Sequence, residues 1–388
     1  MAERVNAVKT SFFGKGAIQL LGPEVQKLHV QRALVVTDPF LYQSGAAARV
    51  GQVLSDAGVE YAIFYQVQPN PTVQVVEDCA AAVRTLSAGL LVALGGGSAI
   101  DTAKAASILA ANGGHLADYE GTDKSRTPGV PIAAVNTTAG TGSECTDFYI
   151  VTDPVRHTKM AMVDTNCMVS IAINDIDFML SMPPSLTAAT GMDALTHAIE
   201  AVLSRGATPL TDKDALWAVE QIFRYLPQAA ADGANEKARS RMAYAEYTAG
   251  MAFSNAGLGM VHAMAHALGG RYNLPHGVCN ALLLPYVLSF HTRCPVCCRR
   301  LAKVAHAMGL AEENAQAVIS AVRTLSSQIG IPDRLSRFQQ VDPAHFPALA
   351  QLALHDTCMA SDQLEPSAEE VAAVYLAAFR GEAQMSSL

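Results

Sequence analysis

Long hydrophobic runs are missing: no stretch reaches the roughly 18 unbroken apolar residues of a membrane span. The opening residues, Met1-Ala2-Glu3-Arg4-Val5-Asn6, lack the apolar core of a signal peptide. A cytoplasmic chain with no membrane partner is expected. Charge is sparse and tilted acidic, with 16% charged residues, a formal net charge of -8 and a pI near 5.8. Nucleic-acid affinity needs clustered Lys and Arg to displace counterions, so no nucleic-acid partner is expected. The eight cysteines are scattered, and the C-x-x-C of Cys294-Pro295-Val296-Cys297, followed by Cys298, has no second pair to complete a structural zinc site. Free thiols follow. Aromatics make up only 6%, but hydrophobic residues reach 50%, which describes an Ala-rich globule and not a disordered chain.

At 388 residues the chain exceeds the size at which one core usually stops growing, so two domains are expected. The first 180 or so residues alternate short β-branched runs with helical patterns, at 33–37, 61–65, 90–94 and 131–135. Each run is nearly continuous in apolar residues, as in parallel strands covered on both faces. After Pro183-Pro184 such runs disappear, and Ala, Leu and Met-rich stretches with helical periodicity continue to the end. The reading is a Rossmann-like α/β domain over 1–182 and an all-α domain over 183–388.

Two loops in the first half suggest a nucleotide. The run ending at Leu94 enters Gly95-Gly96-Gly97-Ser98-Ala99-Ile100-Asp101, where glycines let backbone amides approach a phosphate at a helix N-terminus. Ser98 and Asp101 also have capping-box spacing, so a well-capped tight turn is the plainer alternative. A second polar turn, Asn136 to Glu144, follows the run ending at Val135. Two such turns at strand ends are what an open α/β sheet places around a ligand crevice. The order is unusual, since the candidate ribose-binding acid, Asp38, precedes the glycine loop.

The second half gathers histidines. Asp193 and His197 stand at i, i+4 in a helical segment, as do His262 and His266, and His276 follows in a turn. A single histidine on an apolar face is usually a core residue; two such pairs and a turn histidine point to a divalent cation. A carboxylate with imidazoles suits Fe(II), Zn(II), Co(II), Ni(II) or Mn(II) without choosing among them.

These motifs, Gly95 to Lys104, Thr137 to Glu144, Met182-Pro183-Pro184, Gly191 to Glu200 and His262 to His276, together resemble the iron-containing, group III alcohol dehydrogenases over nearly the whole chain. The resemblance implies a dehydroquinate synthase-like two-domain architecture and an NAD-dependent alcohol dehydrogenase or aldehyde reductase. It implies metal ligands Asp193, His197, His262 and His276, holding Fe(II) or alternatively Zn(II) in an interdomain cleft, with His266 beside them as a non-ligand catalytic residue. That histidine would relay a proton or bond the nicotinamide ribose. NAD would contact Asp38, Asn70, Gly96, Gly97, Ser98, Asp101, Thr137, Thr138, Thr141 and Lys159, and Phe148, Phe253 and Cys358 would wall the substrate. A homodimer or larger homo-oligomer, joined around Ser11-Phe12-Phe13, is implied too.

The chain departs from the family where Cys358-Met359-Ala360-Ser361-Asp362-Gln363 replaces the usual Asn-Pro-Arg, and where Arg271 stands at a commonly apolar position. An anionic aldehyde held by Arg271, such as sulfoacetaldehyde or a semialdehyde, is therefore the alternative to a short neutral alcohol. A dehydroquinate synthase-type lyase would need more Lys and Arg in its pocket, and a non-catalytic scaffold would not need both nucleotide loops and intact ligands.

Overall fold

A computed structural model describes residues 4–156 and 158–382; Met1–Glu3 of the N-terminal reading lie outside the described residues. The chain divides into two compact units, Met1–Ser181 and Met182–Leu388.

The first unit is built on a parallel sheet. Its strands are β1 (Thr10–Phe13), β2 (Arg32–Val36), β3 (Glu60–Phe64), β4 (Leu90–Gly95), β5 (Gly121–Thr122), β6 (Ile132–Asn136), β7 (Phe148–Asp153), β8 (Thr158–Val163) and β9 (Ile171–Asn174). The main sheet has the order β1-β9-β6-β4-β2-β3, and every pairing in it is parallel. β4 shows why: Leu90, Leu91, Val92, Ala93 and Leu94 are all fully buried, so both faces need cover. That cover is α1 (Leu21–Lys27), α2 (Pro39–Gln43), α3 (Ala46–Asp56), α4 (Val73–Leu86) and α5 (Gly97–Asn112). The four expected runs are strands, shifted by no more than a residue or two at either end. The three-stranded sheet β5-β8-β7, with its antiparallel β7–β8 pair, was not foreseen.

Strand order places the loops. The chain passes from β2 to β3 on one side and returns to β4 on the other, so β2 and β4 flank the switch point where open α/β sheets bind ligands beyond their carboxyl ends. Thr37 Oγ1 donates to the Leu94 carbonyl at 2.8 Å and ties these two strand ends together.

The second unit is helical: α6 (Pro184–Leu203), α7 (Pro209–Ala231), α8 (Glu236–Ala256), α9 (Met260–Tyr272), α10 (His276–His291), α11 (Pro295–Ala307), α12 (Ala315–Gln328), α13 (Phe346–Leu354) and α14 (Ala368–Arg380). α6 starts on Pro184 at a position whose N–H would go unused, and it is buried almost all round, as a central helix must be. It packs against α7, α8 and α10. No helix is long and apolar enough to cross a membrane among the described residues.

Candidate metal centre and nucleotide loops

In the second unit, one ligand atom from each of Asp193, His197, His262 and His276 lies within 4.8 Å of the others. Three elements meet there. α6 carries Asp193 and His197, which are 2% and 4% exposed, α9 carries His262 at 1%, and His276 opens α10. His276 is thus the first residue of a helix, where a turn was expected. Gly277 lets that helix start against α6, because any Cβ there would collide with the Ala189 carbonyl.

Asp193 Oδ1 is 3.8 Å from His262 Nε2 and 3.5 Å from His276 Nε2. Ligand atoms bonded to a tetrahedral ion at about 2.0–2.2 Å lie roughly 3.4 Å apart, so the arrangement fits a divalent cation with little movement. Asn280, which the sequence reading missed, supplies a second measure. Its Nδ2 lies 2.6 Å from Asp193 Oδ1, 3.0 Å from His262 Nε2 and 3.2 Å from His276 Nε2. An amide has two hydrogens and cannot serve three acceptors, and this surplus of convergent lone pairs is what a cation site presents. Burial, and then the neighbouring His266, hold His262 well below the ordinary imidazole range, so it is a neutral donor.

A second ring surrounds the four. His197 stacks between Phe253 and His262, with centroids 4.3 and 4.4 Å away. His266 stacks on His276 at 5.2 Å, and its Nδ1 meets Asp356 Oδ2 at 2.8 Å. Burial raises the Asp356 carboxyl, but His266 and the bonds from Cys358 together outweigh it, and the group sits below its usual range. Cys358 is buried, and burial together with Asp356 pushes its thiol well up, which keeps it protonated. Glu200 meets His262 Nδ1 at 2.5 Å; burial and then Asp362 push its carboxyl up to about 8. Glu200 stands i+7 from Asp193, a spacing that could have marked it. Arg271 is exposed at the last turn of α9, where its Nη2 lies 3.2 Å from His345 Nε2.

The first unit assembles most of the loop residues at the carboxyl ends of its strands. Asp38 follows β2, Asn70 follows β3, Gly96 to Ser98 follow β4, and Thr137 to Thr141 follow β6. A Cβ on Gly96 would lie 2.7 Å from Thr138 Oγ1, and one on Gly97 2.9 Å from Thr141 Cγ2, so the two polar turns touch because the first has no side chains. Asn70 and Lys159, 89 residues apart, are joined by a 2.8 Å bond from Lys159 Nζ to Asn70 Oδ1. Asp38 is half-buried, and its Oδ1 caps α2 by accepting from Leu41 N at 2.8 Å.

The capping box read from Ser98 and Asp101 is absent: α5 is capped at Gly96 without a side-chain bond. Asp101 instead points inward, accepting from Ser143 Oγ at 3.0 Å and Ile150 N at 3.1 Å, and burial pushes its carboxyl up to about 6. It braces the second polar turn. Lys104 is fully buried and donates to the carbonyls of Thr146 and Phe148 at 2.7 and 2.8 Å, which fixes the start of β7.

Two family models match consecutive parts of the chain: "Iron-containing alcohol dehydrogenase" over residues 9–176 and "Fe-containing alcohol dehydrogenase family, C-terminal" over 187–379. Lactaldehyde reductase of Escherichia coli K12 is 41% identical over 384 residues, covering 97% of this chain and 99% of that protein. NAD-dependent methanol dehydrogenase of Bacillus methanolicus is 39% identical over 373 residues, covering 94% and 96%. A solved 1,3-propanediol oxidoreductase superposes with a TM-score of 0.92 at 42% identity, covering 98% of this chain and all of that one. The chain belongs to the iron-containing alcohol dehydrogenase family.

Proposed function

We propose that this protein interconverts short-chain alcohols and aldehydes with NAD and a divalent metal, Fe(II) in the first instance, held by Asp193, His197, His262 and His276. The observation that carries the reading is the convergence of Asp193 Oδ1, His262 Nε2 and His276 Nε2 on one point beside Asn280. When bound, the cation polarises the reacting C–O group and NAD takes up or returns the hydride.

The chain's own residues do the rest. Gly96, Gly97 and Ser98 at the start of α5 offer backbone amides and a helix N-terminus to the dinucleotide phosphates. Thr137, Thr138, Thr141, Asn70 and Lys159 flank them, Asp38 takes the ribose hydroxyl, and Asp101 holds the Thr141 turn in place through Ser143. His266, with Nδ1 committed to Asp356, exchanges a proton at Nε2. Phe253 and the protonated Cys358 give the metal-binding unit an apolar wall suited to a small neutral substrate. Residues 1–182 thus serve the nucleotide and 183–388 the metal. β1, an edge strand of the main sheet, suits a homodimer joined around Ser11-Phe12-Phe13. Thiols without disulfides suit the cytoplasm.

The test is NADH oxidation by short aldehydes with anaerobically Fe(II)-loaded protein. Turnover of propanal or lactaldehyde that disappears on chelation is expected; equal turnover after the metal is stripped defeats the reading.

A further inference from the structure

Two carboxylates are buried where α9 begins. Glu200, 2% exposed, reaches across from α6: its Oε1 accepts from Val261 N at 2.7 Å, and its Oε2 lies 3.4 Å from His262 N and 2.5 Å from His262 Nδ1. Asp362 Oδ2 accepts from the preceding amide, Met260 N, at 2.8 Å. Gly259 leaves room for both, since a Cβ there would lie 2.7 Å from Asp362 Oδ2 and 3.0 Å from Glu200 Oε1. Between them the two carboxylates serve three of the four N–H groups that a helix start leaves free, and burying charge this deeply is costly unless its oxygens are fully used.

The extra work is on the ring. His262 has two nitrogens, and only one can carry the proton in the neutral form. When Glu200 is ionised, as a cation on the far side of the ring favours, Nδ1 donates to it and the lone pair is left on Nε2, the nitrogen that faces Asp193 Oδ1 and Asn280. Because the same carboxylate also grips the Val261 and His262 amides, the ring and the helix that carries it are held by one group.

We propose that Glu200 is a positioning residue which sets the tautomer and the orientation of His262 for the metal centre. The proposal rests on the reading of His262 as a ligand.

Glu200→Gln is nearly isosteric and reverses the bond. If the Gln carbonyl still serves Val261 N, its NH2 faces His262 Nδ1 and forces the proton onto Nε2. The opposite rotamer sets NH2 against a buried N–H. Removing such an outer carboxylate typically weakens metal binding about 10–100-fold. The full-length protein is titrated with Zn(II) against a chelator, with His262→Ala alongside. A 10–100-fold weaker affinity in Glu200→Gln, with NAD binding unchanged and Glu200→Asp partly rescuing, is the expected result. Wild-type affinity in Glu200→Gln while His262→Ala has lost the metal overturns the role of Glu200. Metal retention in His262→Ala overturns the ligand reading, and the proposal falls with it. An independent check needs no variant at position 200: 15N-histidine NMR of the Zn(II)-loaded wild type should show His262 protonated at Nδ1, and a proton on Nε2 would overturn the proposal even if Glu200→Gln fails to fold.

Discussion

Asn280 Nδ2 donates to Asp193 Oδ1 at 2.6 Å, from the second turn of α10 to the middle of α6, in a position where neither residue is solvent-exposed. One carboxylate oxygen is thereby aimed at the two imidazole nitrogens nearby. Replacing Asn280 with Ala frees the carboxylate to rotate, and metal affinity should fall about 10–100-fold, the range for lost outer-sphere orientation. Competition with a chelator measures it; unchanged affinity would show that Asn280 only packs.

Asp193→Ala and His262→Ala remove proposed ligands outright. Both should lose metal by elemental analysis and lose turnover, while NAD still binds, because the nucleotide loops belong to the other unit. A full equivalent of metal in either variant would disprove the assigned ligand set.

Gly96→Ala places a methyl group 2.7 Å from Thr138 Oγ1. Overpacking of this kind costs about 1–3 kcal/mol, so NAD affinity should drop about 5- to 150-fold with metal content untouched. Fluorescence titration with NADH reads this, and wild-type affinity would mean that the two turns separate without consequence.

Asp38→Gly removes the carboxylate at the end of β2. A preference for NAD over NADP in the wild type should narrow in the variant, as repulsion of the 2′-phosphate is relieved. Comparable kcat/KM for both cofactors in the wild type would take that role from Asp38.

Burial raises Asp101 to about 6, above the ordinary aspartate value, so the folded state holds its proton more tightly than the unfolded chain. Its contribution is fully present below about pH 4 and is lost as pH rises toward 6, amounting to on the order of 2–3 kcal/mol. Asp101→Asn keeps an acceptor for Ile150 N, and the Ser143 hydroxyl can turn to accept. Between pH 4 and 7 the melting temperature of the variant should therefore rise relative to wild type. Parallel melting curves across that range would remove the titration from Asp101.

Much of this was legible in the sequence. Continuous apolar runs such as Leu90 to Leu94 announced buried parallel strands, because a strand covered on both faces cannot alternate. The i, i+4 pairs Asp193/His197 and His262/His266 announced shared helix faces, since 3.6 residues make a turn. The loop residues after β4 and β6 were visible from their glycines and hydroxyls. Local chemistry of that kind depends on neighbours a few residues away, and a sequence displays it directly. Residue contacts across long separations are another matter. Ser98 and Asp101 had the spacing of a cap, but Asp101 turned inward because Ser143 and Ile150, more than 40 residues on, offered it a buried partner each. Arg271 stood five residues before His276 in the chain, yet α9 carries it to an exposed end beside His345. Asn280 and Asp356 gave no sequence pattern of their own, and Glu200 only its i+7 spacing from Asp193. Packing α6, α9 and α10 around one point, with the turn after α13 against α9, decided that their polar atoms, unable to reach water, had to satisfy the histidines.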